Sequence, residues 1–284
     1  MSKAAFYLLP FVCLLFLSGC GSVPSSRSDA EVMAIELNQK ADSAFRSGKY
    51  KRALYFYGEA LRVSSSLDNE DGIAVNLMNM AVVYRKLGDS ENAHKCVDEI
   101  LNSGHIIFDP PYLSGAAFIK AVLYTSEGNY PSAIEWTDKA LSFCNSEKCG
   151  EKGRIYNLKA KIALINNMPI PALSFGSEGL QWNRKLEDRQ EEANSLRLLA
   201  DARTAAKAYG EATDFYREAL TIDKDMGFSA KIAADLFGIG NALCMQGLHE
   251  DAKVYLRRAQ SVSKSLGDDK GTALAEEMIG KCSK

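Results

Sequence analysis

The chain has 284 residues, with 34 basic and 36 acidic side chains, so its formal net charge at pH 7 is −2. Because the basic residues are neither in excess nor clustered, the composition argues against a nucleic-acid partner. Proline occurs only 7 times and β-branched runs are few, which favours helices over sheets. Beyond residue 17, no apolar stretch is long enough to span a membrane.

The amino terminus has the pattern of a secretory signal. Lys3 precedes an apolar run of 14 residues, Ala4 to Leu17, which is shorter than the about 20 residues of a membrane-spanning helix. The run ends in Leu-Ser-Gly-Cys, which resembles the bacterial lipobox, where cleavage precedes the cysteine and lipid is attached to it. The resemblance implies a signal peptide over residues 1–19 and a lipid on Cys20. An ordinary signal peptide with an incidental cysteine is the alternative.

The residues after the predicted cleavage site indicate where the protein is held. Residue 21 is glycine and not aspartate, which resembles lipoproteins that two-membrane bacteria send to the outer membrane. We therefore expect a protein that is lipid-anchored at the bacterial outer membrane and faces the periplasm. Residues 21–30 are small, polar and unpatterned, so we predict that residues 20–30 are the lipidated cysteine and a flexible tether. The folded domain is predicted over residues 31–284.

Small residues recur along the rest of the chain with a period of about 40. Six alanines are spaced by 39 or 40 residues, and a second small residue precedes each by 12. Two small positions at a constant offset indicate two helices in close contact, repeated six times. The alanines are Ala53, Ala93, Ala133, Ala172, Ala212 and Ala252, and the preceding residues are Ala41, Ala81, Ala121, Ala160, Ala200 and Gly240.

The segments Gly48 to Leu61 (GKYKRALYFYGEAL) and Tyr209 to Leu220 (YGEATDFYREAL) resemble the second helix of the tetratricopeptide repeat. The resemblance extends over residues 31 to 270, although the usual period is about 34. It implies an all-α fold, an α-solenoid of about six TPR-like helical hairpins. The segment Gly271 to Lys281 continues the register and is predicted to be a capping helix.

Repeat four departs from the pattern. Its second helix contains Pro169, Pro171, Gly176 and Gly179. Glycine inside a helix costs about 1 kcal/mol relative to alanine. We therefore expect this helix to be a point of bending.

In the tetratricopeptide repeat, the first helix of each hairpin lines a concave groove that holds partner peptides, and the resemblance implies binding residues at the matching positions. Repeats two and three offer an apolar patch, and repeats four and five offer a polar cluster able to hold a carboxylate or backbone carbonyls. The alternative is that these residues are only solvated, or pair with acids such as Asp201. The apolar patch is Val75, Met78, Val82, Phe118 and Val122, and the polar cluster is Arg154, Asn157, Lys161, Asn194 and Arg197.

These features predict a non-enzymatic, membrane-anchored scaffold or assembly factor of the bacterial envelope, which binds an envelope protein or peptide. A regulatory lipoprotein that docks on a cell-wall enzyme is the alternative. The sequence has no glycine-rich phosphate loop and no serine elbow, and we expect no cofactor. We also expect no metal, because His94, His105 and His249 each lack a second ligand at metal-binding spacing.

The sequence leaves alternatives open for the cysteines and for one loop. Cys144 and Cys149 bracket a short loop and can form a disulfide in an oxidising periplasm, with two reduced thiols as the alternative. Cys96 and Cys244 fall in distant repeats and are expected to be buried thiols. The loop at residues 104–112 holds three consecutive apolar residues, which either fold back onto neighbouring helix ends or form an exposed docking knob.

Overall fold

The computed structural model of the protein describes residues 27–144 and 149–282, which form thirteen α-helices and no strand. The helices pair into six antiparallel hairpins followed by a single terminal helix, so the predicted all-α solenoid is confirmed. The helices are α1 Asp29–Arg46, α2 Tyr50–Ser66, α3 Glu70–Leu87, α4 Ser90–Leu101, α5 Pro110–Ser126, α6 Tyr130–Phe143, α7 Lys152–Ile165, α8 Pro169–Lys185, α9 Arg189–Ala205, α10 Tyr209–Asp225, α11 Ser229–Met245, α12 His249–Ser265 and α13 Asp269–Lys281.

The predicted signal peptide, Cys20 and most of the predicted tether lie outside the described residues. Helix α1 begins at Asp29, two residues before the predicted start of the domain at residue 31. Ser28 sets this start, because its hydroxyl accepts the N–H of Glu31 at 3.2 Å and its own N–H donates to the Glu31 carboxylate at 2.7 Å. In the part of the chain that is described, no helix has the length and apolar character needed to cross a membrane.

The turn inside each hairpin has the same backbone geometry in all six repeats. A residue with positive φ follows the first helix each time, and it is glycine in four repeats, for example Gly88 at 77°. In repeats four and five the same position holds Asn167 at 55° and Lys207 at 63°. The sequence signal for the turn is therefore weaker in these two repeats, although the structure is the same.

The small residues of the repeat lie where the two helices of a hairpin touch. Every alanine of the two series is fully buried. At Gly240, an added Cβ would lie 2.6 Å from the Leu256 side chain. The helices of repeat six therefore approach closely at this position, and an alanine there would require Leu256 to shift.

Helix α8 runs without interruption through the two prolines and two glycines of repeat four. Pro169 and Pro171 lie in the first turn, where backbone N–H groups have no partner inside the helix. The glycines allow close approach: an added Cβ at Gly176 would lie 3.0 Å from Leu199, and one at Gly179 would lie 2.5 Å from Asn157 Oδ1. Packing against α7 and α9 therefore accounts for both glycines.

The cysteines pair differently from the sequence expectation. Cys244, predicted to be a thiol, forms a disulfide with Cys282, so that prediction is wrong. Cys144 and Cys149 are also joined, with Cα atoms 5.5 Å apart, and the four residues between them lie outside the described residues. Cys96 is a free, buried thiol, and burial raises its pKa to about 11. Such a thiol is unreactive near neutral pH.

The loop before α5 divides its apolar residues between core and solvent. Phe108 is buried in the core formed by α3, α4 and α5, and Ile106 packs against the same core. Ile107 is 91% exposed. The loop therefore folds back onto neighbouring helices, as the first of the two alternatives predicted, and only Ile107 of the three apolar residues stays at the surface.

Candidate functional site

The first helices of the repeats form the inner layer of the solenoid. From α3 onward, each of them contacts the first helix of the next repeat: α3 with α5, α5 with α7, α7 with α9 and α9 with α11. Among the described helices, the second helices of successive repeats make no comparable contacts. The array is thus tighter on the side of the first helices, and this side is the concave surface.

A pocket of about 520 Å³ opens on this surface between α5, α7 and α9. Its apolar wall consists of Phe118, Leu158 and Leu198, and charged and amide side chains make up the remainder. Six of the ten predicted partner-binding residues line it: Phe118, Arg154, Asn157, Lys161, Asn194 and Arg197. A second concavity, of about 550 Å³, lies at α1 and α2 and contains none of the predicted residues.

Most of the predicted apolar patch lies outside this pocket. Of its five members, Phe118 alone lines the pocket, where it is 9% exposed. Val75 is 38% exposed, while Val82 and Val122 are half-buried. Met78 packs in the core of α3 and α4, and its sulfur would lie 2.9 Å from a Cβ added at Gly115. The five residues therefore differ in exposure, and the pocket itself includes only Phe118 of this patch.

Arg154 is an accessible cation at the rim of the pocket. Its guanidinium lies over the Phe118 ring, 5.0 Å from the centroid, and donates to both carboxylate oxygens of Glu151 at 3.1 and 3.2 Å. The side chain remains 43% exposed. Ion pairs of this exposed kind contribute about 0–1 kcal/mol, so Arg154 can exchange Glu151 for another anion at little cost.

Arg197, by contrast, is held by two buried acids. Its Nε donates to Asp235 Oδ1 at 2.6 Å, one Nη donates to Asp223, and the other donates to Asn194 Oδ1 at 2.8 Å. Both aspartates are completely buried, and Arg197 is 17% exposed. Arg197 therefore links α9, α10 and α11 and has few donors left for a ligand.

Arg197 pairs with Asp223 and Asp235 and not with Asp201, the acid considered from the sequence. Asp201 lines the pocket but accepts a hydrogen bond from the Tyr216 hydroxyl at 2.5 Å. The same pairing joins Tyr57 to Asp42 in repeat one, also at 2.5 Å. These aspartates each tie the first helix of a repeat to its second helix.

Burial dominates the electrostatics beneath the pocket. Burial, together with the neighbouring carboxylate of Asp223, raises the pKa of Asp235 to about 7, although Arg197 opposes this change. Lys231 donates to Asn194 Oδ1 at 3.2 Å, and burial lowers its pKa. One oxygen of each aspartate, Asp223 Oδ1 and Asp235 Oδ2, has no hydrogen-bond partner among the described residues. A proton shared between the two carboxyl groups would reduce the cost of this burial.

Asn157 is also committed to the structure. Its amide donates to the backbone oxygen and the carboxylate of Glu191 at 3.1 and 3.0 Å, and its oxygen accepts from the Ser195 hydroxyl at 2.6 Å. It is only 6% exposed. Asn157 therefore joins α7 to α9, and the pocket keeps Arg154 and Lys161 as its accessible cations.

One serine, one histidine and one glutamate meet at the surface between α4 and α5. The Ser90 hydroxyl and His94 Nε2 both bind the Glu127 carboxylate, the latter at 3.0 Å. The carboxylate thus lies between the other two groups. The Ser90 hydroxyl thus donates to Glu127 and not to His94, which differs from the serine–histidine pairing of an activated serine nucleophile.

Comparison with known proteins agrees with this architecture. The tetratricopeptide repeat family matches the chain over residues 31–103, which correspond to the first two hairpins. None of the curated proteins matches the chain in sequence.

Similar solved structures extend the likeness to the other hairpins. BtubC (BKLC) from P. vanneervenii is 18% identical, with a TM-score of 0.61 over 85% of this chain and 93% of that protein. RapI in its apo form is 14% identical, with a TM-score of 0.67 over 88% and 70%. A Rap protein complexed with competence and sporulation factor is 15% identical, with a TM-score of 0.57 over 89% and 77%. The chain thus resembles the tetratricopeptide repeat in sequence over its first two hairpins, and proteins of similar all-α fold over most of its length.

Proposed function

We propose that this protein is a non-enzymatic scaffold of the bacterial envelope, lipid-anchored through Cys20 at the outer membrane and facing the periplasm. Its concave surface binds an extended segment of another envelope protein and assists the assembly or recruitment of that protein. The observation that carries the proposal is the pocket between α5, α7 and α9, which combines an apolar wall with two accessible cations.

The chemistry of the pocket indicates what the bound segment presents. A volume of about 520 Å³ is large enough for a few side chains of a peptide. Phe118, Leu158 and Leu198 offer a surface for one large apolar side chain. Arg154 and Lys161 lie at its edge, and no ion pair holds Lys161 among the described residues. A segment with an apolar side chain next to an acidic group or a carboxyl terminus is complementary to this arrangement.

The fold of the similar structures supports a binding role. One of them is a Rap protein in complex with competence and sporulation factor, so a solenoid of comparable shape is known with a bound factor. This likeness concerns the fold, and the pocket residues of the present chain carry the argument for its own site.

Two disulfides support the proposed compartment. Four of the cysteines form the pairs Cys144–Cys149 and Cys244–Cys282. Disulfides persist in secreted and periplasmic proteins and are rare in the cytosol. This observation is independent of the lipobox resemblance and points to the same side of the membrane.

Site-specific crosslinking in cells tests the binding surface. A photoreactive residue replaces Leu198 at the apolar wall of the pocket and, as a control, the exposed Lys224 on the outer helix α10. We expect one dominant envelope protein to be captured from position 198 and not from position 224. Equal capture from both positions, or capture from position 224 alone, would show that the concave surface is not the working surface.

The anchor is tested with a Cys20→Ser variant in cells fed an alkyne-labelled fatty acid. We expect label and membrane association in the unmodified chain and in a Cys13→Ser control, and loss of both in Cys20→Ser. Label that persists in Cys20→Ser would refute the proposed attachment site.

A further inference from the structure

Two sulfur donors and one nitrogen donor meet at the carboxyl-terminal end of the solenoid. Among the described residues, Cys244, His249 and Cys282 are the one set of three metal-ligating side chains whose donor atoms all lie within 4.8 Å of one another. Cys244 lies in the last turn of α11, His249 begins α12, and Cys282 directly follows α13. Three helix ends therefore supply one donor each to the same point.

In the structure, a disulfide joins Cys244 to Cys282, with Cα atoms 5.7 Å apart, and ties the terminal helix to α11. Disulfide sulfurs carry no thiolate charge, so they are poor ligands for a cation. Reduction produces two thiols. With a tertiary phosphine as the reductant, phosphorus is oxidised to the phosphine oxide, water supplies the oxygen, and the two protons of that water go to the two sulfurs.

We propose that the reduced cluster binds Zn²⁺ through the thiolates of Cys244 and Cys282 and the imidazole of His249. Zinc prefers a tetrahedral set of sulfur and nitrogen ligands, with bond lengths of about 2.3 Å to sulfur and about 2.0–2.1 Å to nitrogen. These lengths place ligand atoms roughly 3.5–4 Å apart, so the two sulfurs separate after reduction while the imidazole is already near. Each thiol loses its proton when zinc binds.

The surroundings of the three residues fit a partly open metal site. Cys282 is 2% exposed and packs in the apolar core of the last repeat, and Cys244 is half-buried beside it. His249 is exposed. The Cys282 sulfur is thus shielded from bulk solvent and the Cys244 sulfur partly so, and the solvent side near the imidazole leaves the fourth position to water. Three protein ligands and one water are a known zinc arrangement.

The disulfide and the zinc ion exclude each other, because both use the same two sulfurs. Either one connects the end of α13 to the end of α11. The terminal helix is therefore linked to α11 in the oxidised chain and in the zinc-bound reduced chain, and zinc binding is specific to the reduced state.

Zinc titration of the full chain in detergent tests the proposal. All samples carry Cys144→Ser and Cys149→Ser, which removes the other cysteine pair. The protein is reduced with a phosphine, freed of reductant, and titrated with Zn²⁺ against a chromophoric chelator. Co²⁺ serves as a second probe, since thiolate ligation gives a charge-transfer absorption. We expect one Zn²⁺ per reduced chain, and none in the oxidised chain or in a variant that also carries Cys244→Ser and Cys282→Ser.

A His249→Gln variant distinguishes a three-ligand site from a simple dithiol. Since His249 is exposed, this change preserves the fold, which circular dichroism verifies. We expect its zinc affinity to fall by at least about tenfold, the loss usual even for residues that only support a ligand. A matched His105→Gln variant, altered in an exposed loop, is expected to bind as the parent does. Unchanged affinity in His249→Gln, or no zinc bound by the reduced parent, would overturn the proposal.

Discussion

The contrast between Arg197 and Arg154 gives a quantitative prediction. Both arginines line the same pocket, but Arg197 pairs with two fully buried aspartates, whereas Arg154 pairs with one partly exposed glutamate. We compare Arg197→Leu with Arg154→Leu. Each change removes the charge and keeps an apolar side chain, so the difference between them measures the buried network.

The structure sets the expected magnitude. Arg197→Leu removes hydrogen bonds to Asp223 and Asp235, and hydrogen bonds to charged groups contribute about 1.5–3 kcal/mol each. Removing one partner from a buried ion pair costs about 3–5 kcal/mol, because the remaining charge is left without compensation. We expect a loss of about 3–5 kcal/mol for Arg197→Leu and about 0–1 kcal/mol for Arg154→Leu.

Urea denaturation followed by circular dichroism measures both losses, and amide hydrogen exchange locates them. In a repeat array, stability is approximately a sum of unit and neighbour-interface contributions, so we expect faster exchange first in α9, α10 and α11. The cost of Arg197→Leu is expected to be smaller at about pH 5 than at about pH 8, since Asp235 can then take up a proton. A loss in Arg197→Leu below about 1 kcal/mol, or equal to that of Arg154→Leu, would refute the assignment of Arg197 to the fold.

Three further predictions concern pH and packing. The folded-state pKa of Asp235 is raised to about 7 from an ordinary value of 3.8, so between these values the folded protein holds a proton that the unfolded chain lacks. The stabilisation is therefore present at low pH and lost as pH rises through about 7; urea titrations across this range should show the decline, and Asp235→Asn should flatten it. Gly179→Ala should lower the melting temperature, at a cost of about 1–3 kcal/mol, because its Cβ would meet Asn157 Oδ1 at 2.5 Å. The control Gly58→Ala has open space in a helix interior and should stabilise by up to about 1 kcal/mol, so a melting temperature that falls equally in both would contradict the packing argument. Ala81→Leu should overpack the contact between α3 and α4, and calorimetry should show a loss of about 1–3 kcal/mol.

The fold could be predicted because its determinants are local and periodic. A pair of small residues at constant offset requires two helices in contact, and the glycine turns require that they run antiparallel. In repeat four the prolines lie in the first turn and the glycines under close contacts, and both are compatible with the continuous helix α8. Gly179 packs against Asn157, which lies on another helix, so the sequence around Gly179 does not reveal this contact.

The sequence predicted which surface holds the candidate site, but not which of its residues are free to bind a ligand. Six of the residues predicted from the register line one pocket, but the register could not separate ligand-accessible residues from those held by the fold. The acids that hold Arg197 are 26 and 38 residues away and become neighbours only after α9, α10 and α11 pack. For the terminal disulfide there was a usable signal. Cys244 and Cys282 are 38 residues apart, which is close to one repeat, and each lies at the carboxyl-terminal end of its helix.

The difference between the buried Arg197 and the exposed Arg154 and Lys161 decides how the binding hypothesis must be tested. Reversing the charge of Arg197 would bring a third carboxylate to two that are already buried, and loss of binding would then follow from loss of folding. The informative variant is Arg154→Glu with Lys161→Glu, because both side chains are exposed and neither supports the buried network. We expect its melting temperature to match the parent's within a few degrees, since exposed charges contribute little to stability.

The same double variant should lose capture of its partner by at least about tenfold, because each charge-assisted hydrogen bond to an anionic group contributes about 1.5–3 kcal/mol. Crosslinking from position 198, at the apolar wall of the pocket, measures the loss of partner capture, because the photoreactive residue replaces neither cation. A variant with Lys51→Glu and Lys224→Glu on the outer helices carries the same change in net charge and controls for long-range repulsion. If both variants lose capture equally, the overall charge of the protein and not the pocket attracts the partner. If neither loses it, the segment that binds the concave surface is recognised by its apolar side chain alone.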